Sequence, residues 1–512
     1  MIRKTPPRRQ KGYATVLTLI LFVAVALSVY SMYDIGQATS EKVRLQNTTD
    51  AAAYSTGVMV ARDFNFIAYT NRAMIANQAA IGQMVALASW TSYLEQEAIN
   101  IDSAATLTSW IPYVGQAIKQ VTRVLRQVMS RVRDVVDTGA SAVIEASDLI
   151  NQALSQVQRL HHLGTLYMAR ETFSGVVEEN DPDVELALFG ETAYWTSFYD
   201  AWRNYTVRNR KRLTSWNHQE NRFRRERYAE RTQLVQDSRD GFTRERNKRY
   251  WEFTIPLVVR GRMEKHGGTE FNMKTRRREL VWDWTSMDTE SLWLGHYHCH
   301  WDGDCHYGVD ETAPIGWGAA HARHENYSTD YYNYSRYRYT HRWGDAWENR
   351  TSAYSAAWDD GDNNLRKTSG LQRYYDFSRE RDPKYNSSLQ HPDTSSGPEF
   401  LIFLSKPADE IETMSTIAAD NTDYETSDRL DIEEHGGMAS NRLSALAKVQ
   451  PYFSRPHRLW PKRHRSSRYN NKHEYGNMYN PYWQVRLVQP SDAERTAVAA
   501  LSAGDVFEGF DF

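Results

Sequence analysis

The chain has 512 residues and a net charge of −2, with 62 Lys and Arg against 64 Asp and Glu, so no overall positive field draws it to nucleic acid. Hydrophobic residues make up 41% and aromatic residues 12%, enough to bury a core and enough to exclude a wholly disordered polymer. Its only cysteines are Cys299 and Cys305, so no disulfide framework holds the fold together, and the length suits two to four domains or one large domain on a stalk.

Five basic residues, Arg3, Lys4, Arg8, Arg9 and Lys11, precede an uncharged run from Tyr13 to Met32. An apolar run of about twenty residues at 1.5 Å rise matches a hydrocarbon core about 30 Å thick. The sequence therefore predicts a transmembrane helix over 13–33. Residues 1–12 form a cytoplasmic basic tail, because positive flanks stay inside, and the remainder lies outside the cytoplasm. Two other uses of the same segment exist. A cleavable secretory signal would use Ala24-Val25-Ala26 as its small-residue site, but the apolar run continues past it to Met32. Prepilin-type cleavage would fall between Gly12 and Tyr13, making Leu17 the fifth mature residue where prepilins carry Glu. Without that carboxylate the new terminal amine would be buried unpaired.

The apolar run passes directly into "DIGQATSEKVRLQNTTDAAAYSTG" (34–57). Asp34 closes the span, and Leu45, Gln46, Asn47, Asp50, Ala51, Ala52 and Ala53 form the pattern Leu-Gln-Asn-x-x-Asp-Ala-Ala-Ala. Over about the first 60 residues the chain thereby resembles the TadG-like (TadE/TadG-like) proteins of Flp, or tight-adherence, pilus assembly. A second segment, "YNPYWQVRLV" (479–488), resembles a closing segment of large TadG-like proteins. The resemblance implies a single-pass component of the bacterial inner membrane, working by contact with other pilus or secretion-machine subunits. Asp34, Leu45, Gln46, Asn47 and Asp50 would then fix the stalk where it leaves the membrane. Neither a cofactor nor a nucleic-acid partner is expected, and the helical region offers a surface for self-association.

No proline lies between Pro7 and Pro112, and the run to about Glu97 is rich in Ala, Met, Gln and Leu. Such a segment predicts long helices. A break is expected near Gly57 or around Asp63–Asn65. Residues 112–137 carry Val121, Leu125, Val128, Val132 and Val135, alternately four and three apart, which predicts a helix with one apolar stripe. Gly139 is expected to turn the chain into a second helix from about Ala142 to Met168, striped by Leu149, Ala153, Val157, Leu160 and Leu163. The two would pack as an antiparallel hairpin with both stripes in a shared core. A coiled coil with a second copy is the other use of such a pattern. The stalk and hairpin together span 34–175.

The acidic turn "EENDPDVE" (178–185) marks the change to an aromatic-rich region, read as an α+β extracytoplasmic domain over 176–512. Residues 203–249 are dense in Arg and Lys but interleaved with Asp and Glu, so they predict a solvated, salt-bridged helix instead of a nucleic-acid patch. Strands are predicted over 253–263, 279–287, 291–298 as the hairpin partner of 279–287, 399–406 and 482–489. Helices are predicted around 345–358, 438–449 and 491–503. The fold class is thus α+β, a transmembrane helix and helical stalk followed by a domain with a sheet of five or more strands.

Potential ligands concentrate in "GHYHCHWDGDCHYG" (295–308): His296, His298, Cys299, His300, Asp302, Asp304, Cys305 and His306. In an exported chain a Cys299–Cys305 disulfide closing the Asp-Gly-Asp turn is one reading. The other is a zinc or copper site, which would make the chain a membrane-tethered, metal-dependent hydrolase. The two readings compete for the sulfurs. "DDGDNN" (359–364) lacks the ligand ladder and closing Glu of a calcium loop and reads as a polar turn. The Tyr-Arg tract 327–343 suits either a half-buried sheet face or a contact surface. No Gly-x-Ser-x-Gly, His-Glu-x-x-His, P-loop or Gly-x-Gly-x-x-Gly signature occurs, so an enzyme is not expected.

Overall fold

The structure is a computed structural model that describes residues 13–107, 114–184, 198–214 except 200, 217–324 except 302, 364–382, 397–407, 442–454 and 476–496. The Tyr-Arg tract, the polar turn over 359–363, the helix expected over 345–358, most of that expected over 491–503 and Asp302 lie outside the described residues.

Helix α1 (Tyr13–Leu107) runs for 95 residues without interruption. At 1.5 Å per residue it is about 140 Å long. Helix α2 (Val114–Asn180) returns along it. The antiparallel register is fixed by polar side chains. Thr122 donates to Asp102 at 2.9 Å, Arg133 to Glu95 at 2.7 Å, Asn77 to Asn151 at 3.1 Å, and Arg44 to the Asn180 carbonyl at 3.1 Å. Between them, the buried Asp63 carboxylate meets His161 Nδ1 at 3.1 Å and His162 Nδ1 at 2.6 Å. Burial opposes ionisation of Asp63, but the imidazoles outweigh it and hold the carboxyl below its ordinary range.

The expected breaks do not occur. Asp63 and Asn65 are held in place by partners: Asn65 donates to the Trp483 carbonyl at 2.9 Å and accepts from its N–H at 3.0 Å. Gly139 does not turn the chain, because α2 passes straight through it, and the hairpin is formed by α1 with α2. A glycine within a helix costs only about 1 kcal/mol, which the flanking helix formers and lateral packing offset.

The inward face of α2 is also not the one the stripes predict. Val121, Leu125, Val128, Val132, Val135, Leu149, Val157, Leu160 and Leu163 are exposed, while Asn151, Ser155, Gln158, His162 and Thr165 are buried. The reason lies in what α2 covers. Ser141 donates to the Leu365 carbonyl at 2.8 Å, Asp148 accepts from Ser369 N–H at 3.0 Å, Ser155 donates to the Arg373 carbonyl at 2.6 Å, and Gln158 accepts from Tyr375 N–H at 3.0 Å. Backbone groups over 365–375 need polar partners, and the polar face of α2 supplies them.

Three sheets pack along α1. A three-stranded antiparallel sheet has the order β10-β9-β8, from β8 (Phe400–Pro407), β9 (Arg442–Phe453) and β10 (Trp483–Val488). A two-stranded sheet joins β1 (Thr206–Asn209) to β7 (Tyr374–Phe377). A five-stranded sheet, order β2-β3-β4-β5-β6, uses β2 (Lys248–Ile255), β3 (Val259–Arg276), β4 (Glu279–Cys299), β5 (Cys305–Arg323) and β6 (Asn364–Lys367), the last pair parallel. The strands expected over 399–406 and 482–489 are β8 and β10. The described part of the helix expected over 438–449, residues 442–449, is instead β9, because Leu443, Ala445, Ala447 and Val449 are buried with a period of two. Segments 279–287 and 291–298 are one strand, not a hairpin, and β4 pairs with β3 on one side and β5 on the other. Segment 253–263 contains the β2–β3 turn, with Leu257 at φ 62°.

Helix α3 (His218–Asp237) starts at Asn217, whose side chain accepts from Glu220 N–H at 2.9 Å, and is followed by the single turn α4 (Gly241–Arg244). The basic segment is only partly solvated. Arg227 and Arg231 are buried, Arg231 lying 3.9 Å over the Tyr374 ring and Arg227 paired with Asp376 and Asp382. Two cores result. One joins Leu45–Ile67 of α1 to β8–β10, Phe198, Trp202 and Tyr205; the other joins Met74–Ala88 to Trp282, Trp284 and Phe271 of the large sheet. Where α1 crosses β5, a Cβ on Gly318 would sit 2.3 Å from the Tyr93 nitrogen, so only glycine admits the helix there.

At this crossing Tyr93 donates to the buried Glu290. Burial, reinforced by Glu97, pushes the Glu290 carboxyl up to about 7 against the Tyr93 hydrogen bond. A carboxyl raised on folding favours the protonated native state, so its stabilisation is complete below the ordinary value of 4.5 and is lost as pH rises towards 7. Glu290→Gln stays neutral. Its thermal midpoint, followed by circular dichroism, is expected to exceed that of the wild type at pH 8 and to converge with it near pH 4. Parallel curves across that range would exclude Glu290 as the source.

Candidate functional site

Two places concentrate the residues singled out in the sequence. The first is the start of the paired region. Residues 13–43 of α1 extend beyond the Arg44–Asn180 contact that ends α2, a projection of about 45 Å at 1.5 Å per residue. Among the described residues this is the one helix long and apolar enough to cross a membrane, and its most apolar window is unburied. Val16, Leu17, Leu19, Ile20 and Phe22 all face outward.

Directly after it α1 meets the three-stranded sheet. Asp34 is buried, Leu45 is fully buried in the core, and Ala52 and Ala53 pack beside it. Gln46 bridges its own helix and the sheet, donating to Asp50 at 3.0 Å and to the Leu446 carbonyl at 3.1 Å. Asn47 lies on the exposed side. Thus four of the five motif residues, Asp34, Leu45, Gln46 and Asp50, face or approach packed structure, and Asn47 does not. Gly57 belongs to the same seat, since a Cβ there would approach Val449 to 2.6 Å and Val485 to 2.8 Å.

No local sequence signal marks the ionic centre of this seat. Lys406 of β8 is 1% exposed and reaches Glu41 of α1 at 3.0 Å, Asp181 at 3.3 Å and Asp183 at 3.1 Å. Arg44 adds a second cation 3.7 Å from Asp181. One ammonium therefore ties the first turns of the paired region, the end of α2 and the sheet. Only the acidic turn at 181–183 was legible, because its cation lies more than 200 residues away in the chain.

The second place is the far end of the β4–β5 hairpin. Cys299 and Cys305 are directly opposed and joined, with Cα atoms 4.0 Å apart. His298 and His306 are the next opposed pair. Alternation along a strand puts His298 and His300 on one face with His306, away from the sulfurs. The three imidazoles offer ligand nitrogens within 4.8 Å of one another, and all three are exposed. His296 supplies its backbone carbonyl to His298 Nδ1 at 3.2 Å. Asp304 lies in the turn, where its carbonyl accepts from His300 N–H at 2.8 Å, and Gly303 adopts φ 88°.

Elsewhere, Arg210, Arg212, Arg224, Arg278 and Arg373 line an open cleft of about 400 Å³, and a second cleft of about 260 Å³ lies between Val207, Phe223 and Arg379.

The family model described as "Putative Flp pilus-assembly TadE/G-like" matches residues 12–61. The match covers the unburied apolar turns and the whole seat from Asp34 to Gly57. It supports involvement in Flp pilus assembly and a membrane-associated chain. No curated protein and no solved structure matches the chain in the corresponding comparisons.

Removing one partner of a buried ion cluster leaves the others uncompensated, at a cost of about 3 kcal/mol or more. Lys406→Met is expected to lower the unfolding free energy by about that amount, measured by urea denaturation. Lys406→Met with Asp181→Asn is expected to recover part of the loss. A single variant as stable as the wild type would show that the cluster does not hold the seat.

Proposed function

We propose that this chain is a single-pass, membrane-anchored structural component of a bacterial Flp/Tad-type pilus assembly or secretion apparatus, acting by protein contact and not by catalysis. On this reading residues 1–12 are cytoplasmic, α1 crosses the inner membrane over 13–33, and the rest is periplasmic or surface-exposed. The observation that carries it is the bare apolar start of α1, which the family match spans together with the packed seat that follows. An uncharged, largely apolar run from Tyr13 to Met32, most of it exposed, is unstable in water and is satisfied by a bilayer.

The outward stripe of α2 is the contact surface this reading assigns. Ile118, Val121, Leu125, Val128, Val132 and Val135 repeat three and four apart, with exposures from 40% to 73%. That spacing is a heptad seam, which is filled by another seam of the same period. A second copy of this chain supplies one, parallel and in register, because both copies would be anchored in the same membrane at high effective concentration.

The hydrolase alternative draws only on the imidazole triad. Those rings stand at an exposed hairpin end, and neither described cleft is lined by them. Contact is the reading that the geometry supports best.

Two outcomes are expected. The full-length product stays in the pellet when membranes are washed with alkaline carbonate, whereas deletion of 13–33 releases it; a soluble full-length product would remove the basis of the proposal. Because the two native cysteines are bonded to each other, a single added thiol is unambiguous. Val128→Cys is expected to give a covalent dimer on mild oxidation in membranes, and Gln127→Cys, outside the seam, is not. Equal cross-linking of both, or of neither, would exclude the paired seam.

A further inference from the structure

We infer that the β4–β5 hairpin tip is a metal site, binding one first-row divalent cation such as Zn²⁺ through His298, His300 and His306. The disulfide does not compete with this site; it builds it. With Cys299 bonded to Cys305, the sulfurs are spent on clamping the strands at the last opposed pair. The clamp fixes the register that places His306 opposite His298 and leaves His300 at the mouth of the turn.

Three further features favour metal over three incidental surface rings. The first is the tautomer. His298 Nδ1 lies 3.2 Å from the His296 carbonyl, which can only accept, so Nδ1 carries the proton and Nε2 presents its lone pair. A metal-binding imidazole is oriented in this way by a hydrogen bond to its other nitrogen. The second is space. A Cβ on Gly308 would lie 2.5 Å from the His298 Cε1, so glycine opposite His296 is what lets the His298 ring lie across the hairpin towards its partners. The third is convergence from the two sides of the hairpin: ring centroids are 4.6 Å apart for His298–His306, 5.5 Å for His300–His306 and 5.9 Å for His298–His300.

Zinc–imidazole bonds are about 2.0–2.1 Å, so bound nitrogens sit roughly 3.3 Å apart. Ligand atoms already within 4.8 Å need only small side-chain rotations, which exposed rings can make freely. Three neutral nitrogen ligands select zinc, copper or nickel over calcium or magnesium. Three protein ligands leave at least one coordination position for water or for a group from a partner. That position lies at a tip that also carries Trp301, 98% exposed.

The test is zinc titration by calorimetry of full-length protein in detergent, purified without a polyhistidine tag and kept oxidised. One equivalent is expected to bind, with His298→Ala and His306→Ala each weakening the affinity at least tenfold while circular dichroism is unchanged. Gly308→Ala removes no ligand but displaces the His298 ring, and is expected to weaken binding as well. With Cu²⁺ as probe, electron paramagnetic resonance should show nitrogen hyperfine structure that loses one nitrogen in His300→Ala. Absence of stoichiometric zinc binding, or binding indifferent to all three His substitutions, would overturn the site. So would binding that appears only after reduction, since the ligands would then be thiolates.

Discussion

Side-chain amides on α1 that bond to the backbone of other elements are the interaction on which the rest of the structure depends. Gln46 reaches the Leu446 carbonyl, Asn65 clasps Trp483, and Asn71 donates to the Tyr375 and Met478 carbonyls at 2.9 and 2.8 Å. Gln78 reaches the Gly370 carbonyl at 3.1 Å and Asn100 the Ile315 carbonyl at 2.9 Å. Each bond pairs groups that burial would otherwise strand, and an unmet buried polar group costs about 1–3 kcal/mol. Apolar packing alone would let a long helix rotate or slide against a sheet. A ladder of directional bonds spread from residue 46 to residue 100 fixes both rotation and translation, so one helix aligns three separate sheets.

The same logic explains why α2 turns its apolar stripe away. Its polar side chains complete the ladder from the other side, with Gln158 touching Thr70, Asn71 and Tyr375 together. Asp63 sits between two imidazoles from α2, which stack in turn on Phe66 and Trp202, with Tyr375 tilted against His162. The hairpin of α1 and α2 is thus a polar seam flanked by aromatic rings, and its outer surface keeps an apolar stripe. Under the proposed function such a stripe is the natural place for a second copy.

Polarity also divides the molecule along its length. The bare apolar turns and the Lys406 ion cluster sit at one end, and the exposed hairpin tip with its three imidazoles belongs to the long strands of the five-stranded sheet. In the proposed arrangement the first end is committed to the bilayer and its exit, while the tip is free to meet metal and partner. The disulfide suits an oxidising compartment, as the proposed export of residues after 33 requires.

Local chemistry was legible in the residues themselves. The apolar run to Met32 and the motif from Asp34 to Ala53 are contiguous, so their character needs no long-range partner, and the family match falls on them. Strands β8 and β10 were legible for the same reason, as short β-branched and aromatic runs. What only the tertiary structure decided was which faces are inside. The heptad stripe of α2 is the pattern of a core helix, yet strand backbones competed for its other face and won. Alanine-rich β9 reads as helix by propensity and becomes a strand because β8 and β10 flank it. Lys406 finds its acids, and His298 its neighbours, only after strand register is set, and register is a property of pairing that no local stretch encodes.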